Sequence, residues 1–562
     1  MKNNLASRIL SATLAILLLA LTVAGCAADK PSGTASDAGT ASAAPEATNG
    51  TRAVPDETAD PAPIDAKGGN LVFALATTPD HLDPHRAGLA VSTRVTNALF
   101  DSLVALDENG GFVPYLAKSW EVSDDYSVYT FKLRDDVKFH DGTPFNAEAV
   151  VFNFERLYNP ETQATGNITS LFSGFLSGEA LDEFTVQLNF SVGSPSFLTN
   201  LARFAFVSPA ASDKYGDQFT RNPVGTGAFR FVSYDEDIKL ERNPDYNWAP
   251  EIRGHQGPAY LETLTYKIVA EEATRVGSVE SREVSAAETV PPQNVLSLRA
   301  TPGLQVLEKL TLGLPYTLFY NFDKPIWNNL NVRKAIRAGV DIGTIVQTLY
   351  LGTYPRAWSI ISPGLSGYDA SLENKDHYDP EAAKALLEAE GWLVGADGYR
   401  EKDGERLKLH YFDNSPNREK RNDIAVMVRE QLKEIGVEVE VEISTDGYNQ
   451  LVSIRGFDVM GNSFLSGDLV SSLRGNFYYT EGGFSIAHLN DPKVNAWIDQ
   501  VASEFDPAKA EVIYKEIQQY FDENALTLPI YVFPYTVAAI EEVTDLNFDF
   551  LGYPVFYDTY IK

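Results

Sequence analysis

The stretch from Val128 to Leu157 changes its apolar period from two to nearly four, and that switch restricts the fold more than any other feature. Tyr129, Phe131 and Leu133 alternate with Val128, Thr130 and Lys132, the spacing of a strand with one face in a core. Asp141-Gly142-Thr143-Pro144 is turn chemistry, and Asn146 then caps a helix carrying Val150, Val151, Phe154 and Leu157. An acid three residues after the cap would complete a capping box. Ala149 stands there instead, which predicts a slightly weaker helix start.

The same switching recurs along the chain. Asn70 to Ala76 reads as a buried strand, and Phe184, Val186, Leu188 and Phe190 alternate with polar residues as a half-buried one. Asp379-Pro380 opens a helix through Ala385, Leu386 and Leu387 that stops at Gly391. Ser415-Pro416 opens another, with Ile424, Met427, Val428, Leu432 and Ile435 on one face before Gly436. Val437, Val439, Val441 and Ile443 then alternate with glutamates as a strand. Asp506-Pro507 caps a helix that carries Val512, Ile513, Ile517 and Phe521. No repeat of fixed period is present, and the body is mixed α/β.

The N-terminus carries a different signal. Lys2 and Arg8 precede an uncharged apolar run from Ile9 to Ala24, too short for a comfortable membrane span, followed by Val23-Ala24-Gly25-Cys26. This predicts a signal peptide over residues 1–25 and lipidation of Cys26, which resembles the cysteine of a lipobox. Ala27 to Lys67 has no aromatic residue and almost no branched aliphatics, so it cannot bury enough surface to fold. Residues 26–68 are expected to form a lipidated tether with a relaxed reach of roughly 35 Å.

Cys26 is the only cysteine. With lipid on it, disulfides, a thiol nucleophile, a cysteine zinc site and an iron–sulfur cluster are all excluded. Formal charge is −31 overall. The segment before Cys26 carries +2 and the tether −4 (three basic and seven acidic residues), leaving about −29 on the body. Such an excess argues against nucleic acid and anionic lipid as partners.

Residues Tyr115 to Arg156 read YLAKSWEVSDDYSVYTFKLRDDVKFHDGTPFNAEAVVFNFER. This block resembles the signature segment of family 5 extracellular solute-binding proteins, the dipeptide, oligopeptide and nickel receptors of ABC importers. Asn222-Pro223-Val224-Gly225-Thr226-Gly227-Ala228-Phe229 is similar to the family's second landmark, with Glu241-Arg242-Asn243-Pro244-Asp245-Tyr246 as its sequel. Asn331-Val332-Arg333-Lys334-Ala335-Ile336 with Gly339-Val340-Asp341 is similar to the third, a helix pair.

The resemblance implies an α/β, two-lobed clamshell of the periplasmic-binding-protein kind, class II, with an extra inserted domain. The first lobe would span 69–310, with the insertion at about 110–215. The second would span 311–526, and 527–562 would return to the first. Hinge crossings are expected near Val306–Tyr320 and Leu526–Tyr535. The implied function is a substrate-binding lipoprotein, monomeric and without enzymatic activity or cofactor, anchored on the extracytoplasmic side of the cell membrane. It would capture a peptide-like or other small polar solute for an ABC permease and its ATPase, touching the membrane through its lipid alone. A nickel- or metal-chelate receptor is the nearest alternative, and a secreted lipoprotein hydrolase comes from another class. The hydrolase needs a nucleophile–base pair that no motif here supplies.

Candidate ligand contacts follow from the resemblance and from residue chemistry. Phe464 stands where the family has tryptophan, and Asp468 falls one position late against the aspartate that holds a ligand ammonium; as a plain sequence feature, Asp468 would cap Leu469 to Leu473. Arg203, in the apolar stretch Asn200 to Phe206, lies close to where the nickel receptors place a cleft arginine, and a guanidinium is a good carboxylate hold. Alanine at either position is expected to weaken binding and leave melting nearly unchanged. Aromatic residues make up 11% of the chain, more than a core alone requires, so Tyr158, Phe464, Tyr478 and Tyr479 are candidate stacking surfaces. Trp120, Trp248 and Trp497 are assigned to structure. His81 and His85 are four apart, but Pro84 disfavours a helix between them, so no metal site is expected there.

Overall fold

The computed structural model describes residues 67–414, 417–444, 456–481 and 485–562. The signal segment, Cys26 and nearly all of the tether lie outside the described residues, as does Ser415-Pro416. Two large mixed sheets organise what is described. The first has seven strands in the order Leu304–Leu310, Pro534–Ile540, Ala286–Glu288, Asn70–Leu75, Thr263–Ile268, Ile238–Arg242, Phe229–Tyr234. Asn70–Leu75 sits at its centre, parallel to both neighbours, and Phe73, Ala74 and Leu75 are all buried. A central strand covered on both faces reads as a continuous apolar run, as the sequence predicts.

A four-stranded antiparallel sheet follows the order Ala117–Val122, Val128–Leu133, Thr185–Phe190, Phe175–Asp182. Helix Ala147–Tyr158 packs on it, with Val151 against Gly178. The Asn146 side chain accepts from Ala149 N at 3.0 Å, so the cap forms although the capping box is incomplete. Part of the aromatic excess goes into this layer. Tyr129, Phe131, Phe154, Phe172, Phe190, Phe197, Phe204 and Phe206 are buried together, with Tyr129 and Phe197 centroids 4.0 Å apart. Core packing thus uses part of what composition offered as stacking surface.

The two most distinctive sequence blocks dock on one another. His140 N donates to Gly225 O at 2.8 Å, and its Nε2 donates to Gly227 O at 2.9 Å while Nδ1 accepts from Gly225 N. Burial pushes the imidazole down to about 4, so the ring is neutral, as this pattern of one donor and one acceptor requires. Gly225 and Gly227 press against the end of helix Ala90–Leu99, where an added Cβ would lie 2.2 Å from Leu99 O or 2.4 Å from Leu99 C. Only glycine permits that approach.

The second large sheet has the order Glu438–Ser444, Lys408–Asn414, Val459–Leu465, Gly313–Tyr320, Thr527–Tyr531. Lys408–Asn414 runs parallel to both neighbours. The expected helix with Ile424, Val428 and Leu432 inside runs over Arg421–Glu434. Glu438–Ser444 is an edge strand, and its alternation lapses at its end, where Ile443 is exposed. Helix Pro507–Glu523 buries Ile513, Ile517 and Phe521 at four-residue spacing, whereas Val512 is exposed because it sits about 100° around the helix from Ile513. Among the described residues no helix is long and apolar enough to cross a membrane.

Candidate functional site

The chain passes between the two large sheets twice. Leu304–Leu310 belongs to the seven-stranded sheet and Gly313–Tyr320 to the five-stranded one; Thr527–Tyr531 and Pro534–Ile540 make the return. Thr311 N and Oγ1 both donate to Phe533 O, at 2.9 and 2.7 Å, so the two crossings are tied to each other. Gly313 has φ 132°, and a Cβ there would lie 2.0 Å from Phe464 O.

A buried arginine–glutamate pair sits on each side of the return crossing. On one side Arg94 Nη1 donates to Glu288, at 2.9 and 3.0 Å, and stacks over Tyr535, whose hydroxyl also donates to Glu288. On the other, Arg421 Nη2 donates to Glu419 Oε2 at 2.6 Å and to Ser463 Oγ at 2.9 Å, and the guanidinium lies over the Tyr316 ring. The Tyr531 hydroxyl donates to Glu419 at 2.7 Å, and Tyr316 donates to Asp413 at 2.6 Å. Burial first, then these carboxylates, hold the Tyr535 and Tyr316 phenols well above their usual range. Glu419 and Lys420 both take left-handed backbone, φ 56° and 60°. The Arg421 cluster lies just past the carboxyl end of Lys408–Asn414, the edge of a parallel array where α/β proteins place ligands.

Spacing does not single out these clusters. Glu288 does leave a trace, as the one charged residue in the short run Ala286 to Val290. Arg421 leaves none, because it sits in a charged helix start like many others in an acidic chain.

Asp468 caps helix Leu469–Phe477 through Ser471 N. Its carboxylate also accepts from Ser196 Oγ at 2.8 Å, Asn200 Nδ2 at 3.3 Å and Ser471 Oγ at 2.5 Å. Four donors fill the roughly four lone-pair positions of a carboxylate, so the group has no direction left for a ligand ammonium in this arrangement. The plain capping role expected from sequence is the one its geometry fits, and in addition it joins the two halves of the chain. Gly467 beside it lies against Thr199, Phe550 and Leu551. A second contact joins the halves at Tyr126 and Phe505, whose rings stack 3.9 Å apart.

Phe464 is 40% exposed near the carboxyl end of Val459–Leu465, beside Ser463 of the Arg421 cluster. It is not part of the core. Tyr158 ends helix Ala147–Tyr158, donates to Phe172 O and stacks on Phe175, all within the four-stranded layer. Tyr478 donates to Asp499 at 2.7 Å, and Tyr479 exchanges backbone hydrogen bonds with the Asn495 side chain. Both follow the helix that Asp468 caps. Arg203 donates its backbone N–H to Asn200 O, so it lies one turn beyond the residue that holds Asp468. Its side chain lines a cavity of about 790 Å3 whose walls come from residues 67–309 and 545–558. Arg203 therefore lines a space walled by the first part of the chain and its C-terminal return, with no lining residue from 311–526.

His85 is buried, with Nε2 donating to Ala205 O at 3.0 Å and Nδ1 accepting from Arg156 at 2.8 Å. Arg156 also clamps Asp83. His81 and His85 lie in a loop of turns, and the network at His85 is structural. Trp248, also assigned to structure, is buried and donates to Asp101 at 2.9 Å.

The sequence matches the family described as bacterial extracellular solute-binding proteins, family 5 middle, over residues 111–485. The chain belongs to that family. It is 26% identical over 478 residues to the glutathione-binding protein GsiB of Escherichia coli O6:K15:H31 (strain 536 / UPEC), covering 82% of this chain and 89% of that one. Among solved structures it is similar to NikA from Brucella suis in complex with Fe(III)-EDTA, with TM-score 0.76, 25% identity, and coverage of 88% of this chain and 100% of that one. The oligopeptide-binding protein AppA from Bacillus subtilis, in complex with a nonapeptide, gives TM-score 0.74 at 23% identity, covering 88% and 99%. The fold is the mixed α/β periplasmic-binding-protein fold of the family 5 type. Proteins of this family are non-enzymatic, extracytoplasmic solute-binding proteins of ABC transporters.

Proposed function

We propose that the chain captures a peptide-like or other small polar solute between its two sheet-bearing halves and hands it to an ABC permease powered by its ATPase. The double crossing between the sheets carries this reading, because two short linkers are what closure about a hinge requires. The lobes would then divide near residues 311 and 527, with the four-stranded layer as the inserted domain. Asp468 with Ser196 and Asn200, and Tyr126 with Phe505, are the contacts that form when the halves meet. On the second half, the exposed Phe464 would supply a stacking face, with Tyr478 and Tyr479 as further candidate contacts.

The ligand class draws on relatives that bind glutathione and a nonapeptide. A metal-chelate cargo is the second reading, favoured by the likeness to a protein holding Fe(III)-EDTA. Lipidation at Cys26 would keep the monomeric receptor at the membrane on its tether. Native mass spectrometry of the purified full chain, followed by denaturation and identification of what is released, tests the reading. A released peptide or small polar solute is expected, and the scattering radius should fall when that solute is added back. Release of a metal chelate selects the second reading, and a radius indifferent to cargo rules out closure.

A further inference from the structure

The cavity that Arg203 lines is unusual in its charges. The chain holds 77 acidic and 46 basic residues, so an arginine has no shortage of carboxylates. Every other arginine whose side chain is described, Arg253 excepted, donates to a carboxylate, a carbonyl or both. Arg203 and Arg253 are the two without such a partner among the described residues, and both line this one space, with Lys309 at its wall.

Six carboxylates also line the space; Asp107 and Asp558 accept from neighbouring backbone N–H groups, Asp545 lies 3.9 Å from Lys67, and the two nearest the arginines by electrostatics or burial are Asp549 and Asp101. Asp549 accepts on Oδ1 from Leu551 N at 2.9 Å and Tyr553 N at 2.8 Å, and Asp101 accepts from Tyr115, Thr226 and Trp248. Burial raises the Asp549 carboxyl, and the Tyr553 N–H and the charges of Arg203 and Arg253 oppose that, which places both guanidiniums within electrostatic reach of one point. The volume, about 790 Å3, falls within the range of small-molecule sites. Phe100, Phe550 and Tyr557 give it an apolar floor. None of its lining residues comes from 311–526, although Phe550 and Leu551 on its wall also touch Gly467 of the second half.

We infer that this cavity is a second binding site, separate from the gap between the sheets, for a small organic carboxylate with an apolar body. Arg203 and Arg253 hold the carboxylate, the bidentate match for which a guanidinium is suited, and the aromatic floor takes the rest.

The test titrates the full chain with 3-phenylpropionate and with its neutral isostere 3-phenylpropanamide, followed by calorimetry and saturation-transfer NMR. The carboxylate should bind at least about tenfold tighter than the amide, and Arg203→Ala and Arg253→Ala should each cost about tenfold. Thermal melting without ligand should change little in both variants, because neither side chain makes a hydrogen bond or ion pair among the described residues. Phe464→Ala, on the wall of the other site, should leave this binding intact. Equal affinity for the two probes, no binding of either up to its solubility, or retained binding in both arginine variants would each overturn the inference. Loss in Phe464→Ala alone would do so too, by placing the probe between the halves.

Discussion

The seam at Asp468 and the cavity at Arg203 are separated by a single turn of chain and are opposite in electrostatic character. At the seam a buried carboxylate meets four donors from three residues and has nothing left to offer. At the cavity the Arg203 guanidinium makes no hydrogen bond or ion pair among the described residues and feels Asp549 only at a distance. Burial alone would rank Asp468 as the better anchor, since Asp468 is 3% exposed and Arg203 is exposed. Counting partners reverses the order. A saturated group supports the fold, and an unsaturated one near an open volume is available to a ligand.

This contrast can be broken by substitution. The largest effect is expected at Arg421, the most heavily bonded cation of the second half. Arg421→Ala removes the cationic partner of Glu419 and should cost about 4 kcal/mol in denaturant unfolding, as loss of one partner of a buried pair does. Next come the saturated histidines His85 and His140, both held at about 4 against an unfolded value of 6.5. A depressed folded value means that the unfolded chain takes up the proton first. Their contribution is therefore complete above pH 6.5 and lost as pH falls towards 4, on the order of 3 kcal/mol each. Denaturation midpoints measured across that window should drop, and His140→Gln should flatten the slope. Asp468→Ala should cost about 2 kcal/mol through the lost cap and the orphaned Ser196 and Asn200 groups, a fall in melting temperature that sequence alone did not anticipate. The smallest change belongs to Arg203→Ala, with stability within about 0.5 kcal/mol of the parent. A large fall there would mean that Arg203 has a structural partner and would remove the contrast.

Much of the fold was legible because its signals are local. Asn146, Asp379 and Asp506 announce their helices, and each side chain accepts from its own helix's first turn. The alternation at Val186, Leu188 and Phe190 places those residues inside. Val512 misled because neighbours on a helix point in different directions, and a run of apolar letters does not say where the stripe runs. The sites were less legible for a reason of distance. Two of the four donors to Asp468 come from residues more than 250 positions earlier, and Arg421 meets Tyr531 110 positions later. Whether a charge is satisfied is a property of such encounters, and no window of sequence contains them. Phe464 and Asp468 were reached through family resemblance; Arg253, in an unremarkable loop, was not reached at all.

Thr311 gives its two hydrogen bonds to one carbonyl, that of Phe533. Linkers bound together in this way act as a flat strap: it flexes about the line through both and resists torsion and sliding. Under the proposed closure the halves would swing like a door, along one coordinate, and each loaded copy would offer the transporter the same face.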